Sequence, residues 1–168
     1  KVSQDRGLIR YLMRHRHTTP FEMVEFKFHC KMPIFVARQW VRHRTANINE
    51  YSLRYSEARD EFYYPEPEHI QFQSVLNKQG RKGEVSKELK QKVQNYFKEI
   101  SKRSFEMYSK LNEAGVAREL ARAVLPVNLY TEWYWKNDLH NLLHFIGLRS
   151  DIHAQYEIRV YSDAMAKS

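Results

Sequence analysis

The residues between Gln39 and Tyr55 carry the densest chemistry in this 168-residue chain. Arg42, Arg44 and Arg54 are planar, forked donors, and Arg38 and Arg59 extend the run at either end. A guanidinium grips a phosphate through two parallel hydrogen bonds, where lysine acts as a point charge. Ser52 adds a hydroxyl, Gln39 an amide, and Glu50 an isolated acceptor suited to a ribose hydroxyl or a ring N–H. The set reads as a nucleotide-binding segment. The same composition also describes an arginine-rich surface loop with casual ion pairs, which are common and weak. Composition alone leaves both readings open.

Spacing separates them. Arg42-His43-Arg44, seven residues, then Ser52 resembles the signature of the flavin-dependent thymidylate synthases. Thr19-Pro20-Phe21-Glu22 and the run Pro33-Ile34-Phe35-Val36-Ala37-Arg38-Gln39-Trp40 are similar to the segment that precedes the signature in that family. Arg118-Glu119-Leu120-Ala121-Arg122, with Leu125-Pro126-Val127-Asn128-Leu129-Tyr130-Thr131, resembles the central block. Leu148-Arg149, Asp151, His153-Ala154-Gln155 and Glu157-Ile158-Arg159 resemble the C-terminal block.

The resemblance implies a homotetrameric methyltransferase using FAD. In such an enzyme NADPH reduces the flavin, methylenetetrahydrofolate supplies the carbon, and dUMP becomes dTMP. Carried over position by position, Thr19, Arg42, His43, Arg44 and Glu50 match flavin contacts, and His17 matches the flavin–folate stacking site. Asp138, His140 and His144 match a further flavin segment, although the family often has Asn-x-Arg where Asp138-Leu139-His140 stands. Gln39, Trp40, Val41, Arg42, Glu50, Tyr51, Ser52, Leu53, Arg54, Arg122 and Arg149 match the dUMP site. Leu53 replaces a common glycine. In this assignment Arg54 and Arg122 grip the phosphate, and Arg149 is catalytic, stabilising charge as the pyrimidine imide proton is lost. The five glycines form no Gly-x-Gly-x-x-Gly, so no classical dinucleotide turn is present.

Other constellations carry less. His140 and His144 share a helix face, but Asn141 follows His140, so there is no His-Glu-x-x-His, and no metal is expected. Trp133, Tyr134 and Trp135 read as core plus an oligomer contact rather than a base-stacking platform. Cys30 alternates in phase with Val24, Phe26, Phe28 and Met32, which predicts a buried, unreactive thiol. Ser52 has no neighbouring base, so a phosphate-binding hydroxyl fits it better than a nucleophile. The reaction is therefore expected to run without an enzyme nucleophile. The reading from another class is a nucleic-acid-binding module using Arg38–Arg59. It predicts salt-steep binding, whereas the enzyme reading expects no nucleic acid and no membrane partner.

The elements that must position these groups follow from periodicity. Leu8, Ile9, Leu12 and Met13 predict a helix over about residues 5–16. Alternation predicts strands over 24–32 and 127–135, with a short strand at Phe62-Tyr63-Tyr64. Helices are expected over 34–40, 86–114, 117–125, 138–148 and 151–166, with 42–61 irregular and 74–85 an exposed loop. The long helix should carry its apolar stripe on Leu89, Val93, Tyr96, Ile100, Tyr108 and Leu111. Strands among helices without β-α-β spacing argue an α+β fold, a small mostly antiparallel sheet packed with several helices. One domain spanning 1–168 is expected, completed by oligomerisation. By comparison with the family, the chain is expected to lack a preceding strand segment and a C-terminal tail. A hydrophobic fraction of 42% is globular, and the net charge of +8 fits an anionic ligand. One cysteine suits a reducing compartment, and the first residues, from Lys1 on, are no signal peptide, so a cytoplasmic location is expected.

Overall fold

The computed structural model describes residues 2–168; Lys1, where the leader reading begins, lies outside them. Helix α1 (Val2–Arg14) and the short α2 (Thr19–Glu22) precede strand β1 (Glu25–Pro33). Helix α3 (Ile34–Trp40) follows directly, then strand β2 (Asn47–Glu50). A hairpin of β3 (Gln71–Gln73) and β4 (Arg81–Glu84) leads into the long helix α4 (Lys87–Glu113). The chain ends with α5 (Arg118–Ala121), β5 (Tyr130–Asp138), α6 (Leu139–Arg149) and α7 (Tyr156–Lys167).

The main sheet runs β1-β5-β2, entirely antiparallel, with Cys30 opposite Trp133 and Glu50 opposite Trp133 on the other side. Alternation along β5 sends Thr131, Trp133, Trp135 and Asn137 inward, and Tyr134 outward. Against that face pack Val36, Ala37 and Trp40 of α3, Leu142 and Phe145 of α6, and Ile158 and Met165 of α7. Trp40 meets Trp133 and Trp135 edge-on, centroids 5.5 Å apart in each pair, and stacks on Phe145 at 4.9 Å. Offset and edge contacts of this kind are the preferred aromatic geometries. The tryptophan cluster is thus core, as its alternation predicted.

Local chemistry sets the helix ends. Ser86 caps α4 by accepting the Leu89 N–H at 3.2 Å. At the other end Gly115 takes φ +77°, its N–H bonds the Asn112 carbonyl, and Val116 bonds the Leu111 carbonyl. Those paired bonds form a Schellman stop, which favours glycine.

Several expectations shift. The segment 42–61 contains a strand, β2, because β5 has a free edge that Asn47–Glu50 can pair with. Phe62-Tyr63-Tyr64 is reduced to one bridge, Phe62 to Leu129. The 74–85 loop contains β4, tied down where Arg81 donates to Glu157 at 2.6 Å and to the His69 carbonyl at 2.7 Å. The 127–135 strand begins at Tyr130, since Leu129 closes a turn on Pro126, and it runs on to Asp138. Residues 151–155 form a turn, so the last helix starts at Tyr156. Only Arg118–Ala121 of the 117–125 segment is α-helical, and a 3-10 turn follows. Along β1 the inward phase is buried at Cys30 and Met32, while Val24 and Phe26 stay exposed at the far end.

The stripe of α4 also departs from expectation. It buries Ser101, Ser104 and Tyr108, held by Ala58 N–H donating to the Tyr108 hydroxyl and by Asn128 donating to Ser101 Oγ. Leu89, Tyr96 and Ile100 remain exposed. Tyr96 and Ile100 border an apolar groove of about 610 Å³, also lined by Phe35, Tyr63, Val93 and Phe97.

Candidate active site

Helix α3 delivers the signature. It ends at Trp40, which is wholly buried in the core, so this expected dUMP contact has no exposed surface to offer a ligand. The turn is closed by Val41 N–H on Ala37 and His43 N–H on Trp40. It sends Arg42 and Arg44 to solvent and turns His43 inward. Gln39 is half-buried, and its Oε1 is a buried acceptor with no hydrogen-bond partner among the described residues.

His43 meets Arg149, 106 residues away, with Arg149 Nε 2.9 Å from His43 Nε2. A guanidinium N–H only donates, so Nε2 must be the unprotonated nitrogen and Nδ1 must carry the hydrogen. Burial, the Arg149 charge and nearby His144 push His43 down to about 4, so it is neutral near pH 7. Burial also lowers Arg149 from its ordinary value.

A second group forms around Glu119. Its carboxylate pairs with Arg54 Nη2 at 3.0 Å, and its backbone carbonyl accepts Arg122 Nε at 3.4 Å. The two expected phosphate arginines are therefore brought together. Ser52 sits at the head of the adjoining turn, where its Oγ accepts the Arg54 N–H at 3.3 Å. Tyr51 continues the pairing of β2 by donating its N–H to Glu132, and Leu53 lies half-buried in the turn. Among the described residues no hydrogen bond links this group to the His43–Arg149 pair. Glu50, at the end of β2, accepts Thr131 Oγ1 at 2.7 Å. Thr131 was not anticipated as a supporting residue; its signal was a polar side chain on the buried phase of β5.

The remaining flavin-matched residues lie on or beside α2 and α6, and His144 approaches His43 with ring centroids 6.4 Å apart. Helix α2, which begins at Thr19 just after His17, packs against α6, which carries His140 and His144. Asp138 is the N-cap of α6, its carboxylate receiving the Asn141 N–H at 2.9 Å and the Asn141 amide at 2.7 Å. Burial works to raise its pKa, but these bonds hold it below the usual range. Its carboxylate is thus committed to the cap. Arg42 and Arg44 have no carboxylate within ion-pair distance among the described residues, and neither do Arg122 and Arg149. Two unpaired guanidiniums on one turn fit a flavin dinucleotide's pyrophosphate.

Cys30 is buried, and burial raises its thiol to about 11, so it stays protonated near neutrality. None of the expected site residues lines the apolar groove beside α4.

The fold and these clusters define an α+β protein in which Arg42, Arg44, Arg122 and Arg149 have no carboxylate partner among the described residues. Residues 1–168 match the family described as thymidylate synthase complementing protein. The chain is 62% identical over 164 residues to a flavin-dependent thymidylate synthase of Ehrlichia ruminantium (strain Gardel), covering 98% of this chain and 55% of that protein. It is 54% identical over 165 residues to the protein of the same name from Dictyostelium discoideum, again 98% of this chain and 54% of the relative. Among solved structures, a UMP/dUMP methylase from Streptomyces cacaoi bound with 5-Br UMP superposes with a TM-score of 0.92 at 36% identity, over 98% of this chain and 76% of that one. The chain belongs to the thymidylate synthase complementing protein family, whose relatives here are flavin-dependent thymidylate synthases. It spans just over half the length of those relatives.

Proposed function

We propose that the protein methylates dUMP to dTMP as a flavin-dependent thymidylate synthase, with methylenetetrahydrofolate as carbon donor and NADPH as reductant. It does so as a homotetramer with active sites shared between subunits, in the cytoplasm; no helix among the described residues is long and apolar enough to cross a membrane. The cofactor is FAD, which when bound and reduced by NADPH would supply the hydride that turns the transferred one-carbon unit into a methyl group. Arg42 and Arg44 would hold its pyrophosphate, and Thr19, His17, His140 and His144 would supply further contacts to it. Arg54, Arg122 and Ser52 hold the 5′-phosphate of dUMP, with Glu119 yielding Arg54 to the stronger anion. Gln39 Oε1 and Glu50 accept hydrogen bonds from base or sugar. Arg149 stabilises the negative charge that develops as the imide proton leaves the ring.

No side chain of this chain attacks the pyrimidine. Cys30 is buried and protonated, and Ser52 Oγ is bonded to a backbone N–H rather than to a base. The observation that carries the reading is that Arg42, Arg44, Arg122 and Arg149 are all free of carboxylate partners among the described residues, in a chain of this family.

Spectra and turnover of the full-length protein test it. Flavin absorbance and dTMP formation are expected, with Cys30→Ala within a few fold of the parent. A colourless protein that binds polynucleotide steeply with salt contradicts the reading. A covalent dUMP adduct at Cys30 or Ser52, seen by mass spectrometry, overturns the absence of a nucleophile.

A further inference from the structure

We propose that His43 is a positioning residue for Arg149: its Nε2 takes the Arg149 Nε–H and leaves the two Nη groups as the edge offered to the pyrimidine. This deepens the proposed function and rests on its reading of Arg149. It differs from the flavin-contact role that the resemblance implied for His43.

The bond is 2.9 Å long and joins the turn after α3 to the last residue of α6. Neither end is loose. The His43 ring meets Phe145 edge-on at 4.9 Å, Phe145 stacks on Trp40 at 4.9 Å, and both supporting rings are fully buried. The His43 N–H also donates to the Trp40 carbonyl at 2.9 Å. On the other side, Ser150 N–H closes α6 on Ile146 at 2.9 Å, fixing the backbone from which Arg149 extends. The ring is therefore a fixed acceptor on a core pedestal, and the guanidinium plane follows it.

The kind of acceptor matters. A carboxylate at this position would hold Arg149 equally well and cancel its charge. A neutral imidazole holds the same N–H and leaves the whole positive charge for an anion developing on the substrate. Burial, Arg149 and His144 all keep His43 in that neutral form near pH 7. Arg149 accordingly has no carboxylate partner among the described residues.

The test combines nitrogen NMR of the ¹⁵N-histidine-labelled protein with His43→Leu, His43→Gln and Arg149→Ala. The wild-type spectrum, with or without flavin, should show His43 with a protonated Nδ1 and a bare Nε2. A protonated Nε2 overturns the proposal whether or not any variant folds. Glutamine places an acceptor oxygen near the Nε2 position and leucine places none. His43→Leu should lower kcat by roughly 100-fold, the scale of a misplaced group, with flavin content kept and KM for dUMP changed by a few fold. His43→Gln should recover most of that loss. Equal damage from Leu and Gln, or damage that tracks flavin loss, overturns the positioning role. Arg149→Ala separates the two levels: unchanged dUMP turnover in it sinks the reading of Arg149 itself. Loss of turnover in Arg149→Ala, with no difference between the His43 variants, sinks only the positioning role.

Discussion

Arg54 and Arg122 are held by the same residue, one through the Glu119 carboxylate and the other through its backbone, and this determines how each should respond to mutation. Arg122 has no competing carboxylate among the described residues, so its charge is available to a phosphate. A hydrogen bond to a charged group contributes about 1.5–3 kcal/mol, and about 1.4 kcal/mol is tenfold in affinity. Arg122→Ala should weaken dUMP binding by roughly tenfold to a hundredfold while flavin content holds; calorimetry with dUMP, alongside the visible spectrum, reads both. Arg44→Ala should show the opposite order, with flavin lost first. At this scale the sequence was informative about identity and silent about pairing. The signature located Arg42, His43 and Arg44, but nothing in their spacing said that His43 would reach Arg149 or that Thr131 would reach Glu50. Those contacts depend on side chains that become neighbours only when β5 and α6 close the core.

The elements were legible wherever a periodic pattern met a strong stop. Ser86 and Gly115 bracket α4 through a cap and a Schellman turn, and both residues were visible as signals. The positive φ at Gly115 makes its identity consequential. Gly115→Ala should destabilise the fold by about 1 kcal/mol, read as a lower denaturation midpoint with an unchanged slope. Stop signals of this kind do not extend to short pairing segments: β2 is four residues long and wholly exposed, so it shows no apolar alternation. Its existence depends on the free edge of β5. The hairpin of β3 and β4 was hidden for a related reason, since its anchor is Arg81 on Glu157, a pair separated by 76 residues.

For the whole molecule, the informative surfaces are apolar and uncovered. Helix α1 buries no residue although Leu8, Ile9, Tyr11 and Met13 recur along it, and α4 leaves Tyr96 and Ile100 beside an apolar groove. Helical periodicity predicted an apolar face in both cases but could not say whether its partner lies within the chain. Exposed faces of this kind mark interaction sites, and they support the proposed tetramer. Light scattering on the flavin-loaded protein should give four copies, and a fully active monomer would contradict shared sites. The chemistry itself is tested most directly by the mass of the product made in D₂O. The N–H of a reduced flavin exchanges with solvent and the C–H bonds of the folate donor do not. Thymidylate formed through the flavin should therefore carry a deuterium in its 5-methyl group, whereas unlabelled thymidylate formed at the same rate would contradict that route.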